Sequence, residues 1–256
     1  MSIKLPRTPS FCLDGKRALV TGGGRGIGMA AAAALAEAGA HVTVTARKPD
    51  EIEAVAGAIV KRGQTADAVT LDVTDVSGMR AMIAKTGPYD ILVNNAGGAR
   101  HSTVLEAKED DFDFVVEMNL KGAYFAAQAV AKGLVAAKKP GSLIHISSQM
   151  GHVGGPNRSV YCATKWAVEG FSKAMAIEFG PHKIRSNTIA PTFIMTEMVR
   201  GFFDDATFKD WVLSKIKLGR VGELEDLMGP VVFLASDAAA LITGTSLLVD
   251  GGWTAE

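Results

Sequence analysis

A doubly wound α/β fold built on a parallel sheet is the expectation for this 256-residue chain, and three features of the sequence carry it. Short apolar runs alternate along the whole length with longer segments of helical period, the pattern of βαβ units with helices on both faces of a sheet. The first run leads straight into a glycine-rich turn, Thr21-Gly-Gly-Gly-Arg-Gly-Ile-Gly28, and then a helix. Further on, Tyr161 and Lys165 are spaced to share one face of another helix.

In chain order the strands are read at RALVTG (17–22), HVTVTA (41–46), DAVTLDV (67–73), DILVNNAG (90–97), SLIHIS (142–147), IRSNTIAP (184–191) and SLLVDGG (246–252). Each is rich in Val, Ile, Leu or Thr and closes on turn residues, as buried strands do. The segments between them, 27–38, 50–62, 76–85, 110–138, 160–179 and 224–235, have helical patterning. Right-handed crossovers then give one sheet of about seven strands with helices on both faces. No repeat, low-complexity tract or linker divides the chain, so residues 1–256 are read as a single domain. The least regular stretch, about 191–218, lies where an open sheet places its ligands and is read as a lid.

Composition excludes several classes. Basic and acidic residues balance at 27 each with no long basic run, so nucleic acid is not an expected partner. No apolar stretch is long enough to span a bilayer, and the N-terminal residues lack a secretory h-region. Two cysteines, Cys12 and Cys162, make no disulfide framework and fit a reducing cytoplasm. The five histidines are scattered, with no metal-ligand spacing, and no metal is expected.

The glycine loop suits a phosphate. Gly22, Gly24, Gly26 and Gly28 let backbone N–H groups come close, and the helix opened by Ile27 favours negative charge at its start. The spacing is TGxxxGxG rather than GxGxxG, and a tight strand-to-helix turn is the plain alternative. An NAD site usually has Asp or Glu after the second strand, whereas here Ala46 is followed by Arg47, with Arg25 in the loop. A 2′-phosphate favours arginine, so NADP(H) is expected over NAD(H). Asp72 and Val73 at the end of the third strand are read as adenine-side contacts, with Asp72 equally able to cap the next turn. Asn94, Ala96 and Gly97, in NNAG, are read against the nucleotide, although Asn94 has an equal reading as a bond between strands.

Tyr161 and Lys165 point to proton transfer. A nearby ammonium favours phenolate and is expected to lower the tyrosine pKa from about 10, making the phenol a usable acid and base. Together with Ser148 in LIHISSQMG and Asn119 in MNLKG, these motifs resemble the short-chain dehydrogenase/reductase family over nearly the whole chain. The branches indicated are those of 3-oxoacyl-carrier-protein reductases and of sugar or polyol dehydrogenases. The resemblance implies a Rossmann-like dinucleotide-binding oxidoreductase. In it Tyr161 is the acid/base, Lys165 bonds the nicotinamide ribose, Ser148 polarises the substrate oxygen and Asn119 holds a water behind the lysine. It also implies nicotinamide contacts from Pro191, Ile194 and Thr196. Thr192 stands where many members have glycine, Ser186 where an apolar residue is usual, and Trp166 where a smaller residue is common.

Candidate pocket walls are Gly98, Arg100 and His101, then Gln149, His152, Asn157 and Arg158, then the lid residues Phe193, Met195, Met198, Phe202, Phe203 and Trp211. The substrate is expected to be a 3-oxoacyl-type or other acidic ketone, or a sugar or polyol. A non-catalytic NADP(H) sensor on the same fold is the alternative. The resemblance further implies a homotetramer, with the helices at 110–138 and 160–179 at one interface. Ala163, Ala167, Gly170 and Ala174 would permit close approach there, unless that face packs on its own sheet.

Overall fold

A computed structural model describes residues 3–255, apart from the side chains of Met198 and Phe202. Seven strands form one sheet: β1 (Arg17–Thr21), β2 (His41–Ala46), β3 (Ala66–Thr70), β4 (Ile91–Asn94), β5 (Gly141–Ile146), β6 (Ile184–Pro191) and β7 (Ser246–Val249). They lie in the order β3-β2-β1-β4-β5-β6-β7, with every pairing parallel. The winding reverses between β1 and β4, and a crevice at the carboxyl ends of the strands follows from that reversal.

The two-residue period of each strand divides the core. Ala18 and Val20 of β1, Ile91 and Val93 of β4, and Ile144 and Ile146 of β5 enter one apolar cluster with helices α1 (Gly26–Glu37), α2 (Pro49–Lys61) and α9 (Glu225–Ala235). Leu19, Leu92 and Leu143, their neighbours in sequence, enter the other with α3 (Val76–Thr86), α5 (Ala123–Ala136) and the inner face of α6 (Ser159–Phe179). Sheet and helices therefore fix the carboxyl-end crevice from both sides.

Two boundaries differ from the sequence expectation. β3 stops at Thr70, because Asp72 Oδ1 accepts from the backbone N–H and hydroxyl of Thr74 at 2.9 and 2.7 Å and turns the chain out of the sheet. The helix expected at 110–138 is α4 (Glu109–Val116), a π-helical turn (Glu117–Gly122) and α5. At Gly122 a Cβ would lie 2.9 Å from the carbonyl oxygen of Val73, so glycine lets this wide turn press on the β3–α3 connection. The lid region holds α7 (Glu197–Arg200) and α8 (Ala206–Lys215).

Candidate active site

The glycine loop is held by its neighbours rather than by its own bonds. Thr21 Oγ1 accepts from the N–H groups of Asn95 and Ala96 at 3.0 and 3.1 Å, and Asn95 Nδ2 donates to the carbonyls of Thr21 and Gly22 at 3.0 Å each. Gly22 and Gly26 have φ of +65° and +54°, which only glycine adopts readily. A Cβ on Gly28 would overlap the Gly22 carbonyl, so the first turn of α1 packs directly under the loop. Sequence reading did not single out Asn95 or Thr21. The second asparagine of NNAG is the one that fastens the loop, whereas Asn94 is turned inward. Asn94 Nδ2 donates to the Ala123 carbonyl at 2.6 Å, and the residue is buried, so its side chain joins strands and helix, not a ligand.

Arg25 and Arg47 are both exposed at the loop and at the end of β2, and among the described residues neither forms an ion pair. One acid does come near. Glu51 of α2 lies against Gly24, where an added Cβ would be 2.9 Å from Glu51 Cβ. Its Oε1 is paired with Lys48 Nζ at 2.8 Å; that bond, and the more distant charge of Arg25, hold the carboxyl below its ordinary pKa. Asp72 is half-committed: Oδ1 makes the turn described above, while Asp75 caps α3 through the Gly78 N–H at 3.0 Å. Val73 is buried beneath the π-helical turn.

The reactive side chains meet at the carboxyl ends of β4, β5 and β6. Ser148 begins a short helical turn after β5; its Oγ accepts from Met150 N at 3.1 Å and donates to Gln149 Oε1 at 2.8 Å. Tyr161, in the first turn of α6, is within hydrogen-bonding reach of Ser148. Lys165 Nζ lies 5.6 Å from the centre of the Tyr161 ring and donates to the Ile146 carbonyl at 2.9 Å. Asn119, carried inward by the π-helical turn and not at a helix start, clamps Gly98: its Oδ1 accepts from Gly98 N at 2.8 Å and its Nδ2 donates to Gly98 O at 2.9 Å. A second Nδ2 contact, 3.3 Å to Thr164 Oγ1, ties the clamp to α6.

The acidities correct one expectation. Tyr161 is not made more acidic by the lysine. Burial raises its pKa above the ordinary phenol value, and the Ser148 bond and the Arg158 charge offset only part of this. Burial also lowers Lys165 to about 8, against the opposing pull of the buried Glu169 one turn along α6. Without a further cation nearby, the phenol is protonated at neutral pH.

The pocket walls sort into two groups. His101 faces the Tyr161 ring edge-on with centroids 6.3 Å apart, and Arg158 reaches over Phe193. Arg100 turns aside to Asp111 at 3.7 Å and over the Phe114 ring, so it leaves the pocket. His152 Nε2 goes to Ser246 Oγ at 2.9 Å and Glu169 Oε1 at 3.3 Å, away from the substrate side. Asn157 has φ of +59° in the exposed turn before α6. Phe193, Phe203, Phe208, Trp211 and the C-terminal Trp253 stack among themselves and reach Tyr161 and Cys162, a cluster that Trp253 completes from a distance in sequence. Met198 and Phe202 lie outside the described side chains.

At the end of β6, Met195 N donates to Gly222 O at 2.7 Å and Gly222 N to Phe193 O at 2.9 Å. Strand alternation then leaves the N–H and C=O of Ile194 directed the other way, beyond the buried Pro191. Thr196 caps α7 through Val199 N at 3.3 Å, and its methyl is 3.4 Å from where a Cβ on Gly26 would stand. The lid thus meets the glycine loop across a space lined by small residues.

A family model described as enoyl-(acyl carrier protein) reductase matches residues 22–254. The L-xylulose reductase of Bos taurus is 38% identical over 243 residues, covering 95% of this chain and 98% of its own. A 3-oxoacyl-[acyl-carrier-protein] reductase of Haemophilus influenzae is 38% identical over 244 residues, covering 94% and 98%. The crystal structure of a gluconate 5-dehydrogenase from Burkholderia cenocepacia, in complex with NADP and tartrate, is 38% identical and superposes with a TM-score of 0.92 over 96% of this chain and 98% of that one. With the parallel sheet, the glycine loop and the Ser148–Tyr161–Lys165 grouping already in place, these matches settle that the chain belongs to the short-chain dehydrogenase/reductase family.

Proposed function

We propose that Tyr161, Ser148, Lys165 and Asn119 form the catalytic set of an NADP(H)-dependent oxidoreductase that interconverts a carbonyl and a secondary alcohol. The observation that carries this is the convergence of a protonated phenol, a hydroxyl and a buried ammonium at the carboxyl ends of β4–β6, facing the glycine loop across the crevice. The loop suits the cofactor. Gly22 and Gly26 take up positive-φ backbone that turns the loop, Arg25 and Arg47 are the cations assigned to a 2′-phosphate, and Lys48 neutralises the nearby Glu51. Further contacts are assigned to Gly24, Ile27 and Gly28, to Asp72 Oδ2 and Val73, to the backbone of Asn94, Ala96 and Gly97, and to Pro191, Ile194 and Thr196. When bound, the nicotinamide supplies hydride donation and acceptance.

The chain's own residues manage the proton. Because burial keeps Tyr161 protonated at neutral pH, its O–H is ready to donate to a carbonyl oxygen that Ser148 orients. In the reverse direction the phenol must first lose its proton, so alcohol oxidation should rise with pH while ketone reduction falls; the two pH profiles measure this directly. Asn119 positions the Gly98 backbone beside the pocket and couples it to α6 through Thr164.

The substrate class is a sugar or polyol, or a 3-oxoacyl-type acidic ketone; the L-xylulose, gluconate and 3-oxoacyl relatives support both. The test is NADPH consumption with a panel of such carbonyl compounds. Steady turnover supports the reading, and tight NADPH binding with no turnover on any of them would favour a sensor. Arg47→Asp should lower kcat/KM for NADPH on the order of 10- to 100-fold, as expected for a lost charged hydrogen bond, and raise the NADH/NADPH ratio. An unchanged ratio would remove Arg47 from the cofactor site.

The assembly proposed is a homotetramer. Ala163, Gly170 and Ala174 of α6 are exposed, so this small-residue face does not pack on its own sheet. Beside it, α5 and α6 border an open cavity of about 420 Å³ lined by Tyr124, Phe171, Met175 and Phe179. Light scattering at micromolar concentration should give four times the 26.8 kDa chain mass, and a monomer would reject it. A cytoplasmic setting is proposed from the two free thiols, Cys12 and Cys162. Among the described residues no helix is long and apolar enough to cross a membrane.

A further inference from the structure

We propose that Arg158 anchors a carboxylate on the substrate, so that the pocket over Tyr161 takes a keto acid and its hydroxy acid; this rests on the oxidoreductase reading above. The placement is local and firm. Arg158 opens α6, its carbonyl accepting from Cys162 N at 2.8 Å. Positions 158, 161 and 165 then follow one helix stripe, so guanidinium, phenol and ammonium look into the same space. The guanidinium carbon lies 5.4 Å above the Phe193 ring and 5.9 Å from that of Phe208, which fixes it under the lid.

What surrounds this charge is polar but not anionic. Arg62, Arg100 and Arg220 each pair with a carboxylate, Glu37, Asp111 and Asp226. Among the described residues Arg158 has no acidic partner within ion-pair distance, and the ionisable groups that act on it are the Tyr161 phenol, the Cys162 thiol and the His101 imidazole. Desolvation lowers its pKa, with the phenol and thiol opposing. A partly desolvated guanidinium without an anion is costly, and ring faces offset only part of that cost. The planar fork matches a carboxylate in two parallel bonds, which a neutral hydroxyl cannot reproduce. His101, whose pKa is lowered by desolvation and then by Arg158, adds a neutral polar edge on the same side.

A rival role is that Arg158 acts only on Tyr161, whose pKa it lowers. The two separate with a matched pair of substrates on the NADPH-loaded enzyme: 5-ketogluconate and the neutral ketohexose sorbose, one with a carboxylate where the other has a hydroxymethyl group. Arg158→Gln should raise KM for 5-ketogluconate on the order of 10- to 100-fold beyond any change with sorbose, while the shift of the pH profile through Tyr161 falls equally on both ketones, with Arg158→Lys recovering part of the loss. Equal effects on both ketones, or a displaced pH profile with KM unchanged, would overturn the anchor. Calorimetry with gluconate against sorbitol reads the same contact without turnover. Arg158-dependent preference for gluconate supports the anchor even if no carbonyl is reduced, in which case the oxidoreductase reading alone fails. Turnover of sorbose with no preference for either acid overturns the anchor alone.

Discussion

Tyr161→Phe should lower kcat for carbonyl reduction by about 10²- to 10⁴-fold, the range for loss of a positioned general acid, while NADPH binding changes only a few-fold. The substitution removes one oxygen. The ring keeps its edge contact with His101 and its place among Phe193, Met150 and the lid aromatics. Ser148 keeps its bonds to Gln149 and Met150 N, so the loop after β5 stays in place. The thermal midpoint should therefore stay within a few degrees of the parent, and the loss should appear in kcat rather than in KM. Retention of more than about a tenth of the rate would show that another group delivers the proton, a smaller loss than general-acid removal gives.

Acid should weaken the fold through His145. This imidazole on β5 is wholly buried, with burial and then the charge of Lys165 lowering its pKa to about 3. Its hydrogen bonds require the neutral ring. Asn94 Nδ2, already donating to Ala123 O, lies 3.3 Å from Nδ1, which must accept, so Nε2–H points at Ser186 Oγ at 3.2 Å. Ser172 Oγ, 3.0 Å further on, links the chain to α6. The sign follows from the depressed value. The unfolded chain, with an ordinary histidine near 6.5, binds the proton more readily, so stability is complete above about pH 6.5 and is lost as pH falls toward 3. At pH 5 the loss from this one group is about 2 kcal/mol. Urea unfolding at pH 7 and pH 5 should show that component in the parent and not in His145→Gln. An NMR titration should find the ring neutral to about pH 4. An equal pH dependence in both proteins would exclude it.

Much of this molecule is legible in its sequence. Alternating strands and helices gave the parallel sheet because period is set by backbone geometry and survives in sequence. The site motifs were legible because each is local: a loop with glycines, or a pair one helical turn apart. What escaped was non-local. Asn94 and Asn95 are adjacent and chemically identical, and only the pleat decides that the first turns inward while the second grips Thr21 and Gly22. Ser186, standing where an apolar residue is usual, is the hydrogen-bond partner of His145, a link between β5 and β6 invisible in either segment alone. Arg100 and Arg158 read alike in sequence, yet Asp111 draws one away while the other stays over the pocket. The lysine's expected effect on Tyr161 failed because burial, a property of the whole fold, outweighs spacing on one helix.

The wide turn at Glu117–Gly122 has a consequence for how this chain can vary. A wide turn takes up one residue more than an α-turn without re-phasing the helix beyond it. The surplus carries Asn119 inward to Gly98, while Tyr124 and Gln128 keep the outward side of α5. A single-residue deletion between 117 and 122 would let the turn close to ordinary pitch, so the inner amide would leave the crevice while the outer flank of α5 stayed where it is. The wide turn therefore lets the crevice be remodelled without disturbing the far side of the same helix.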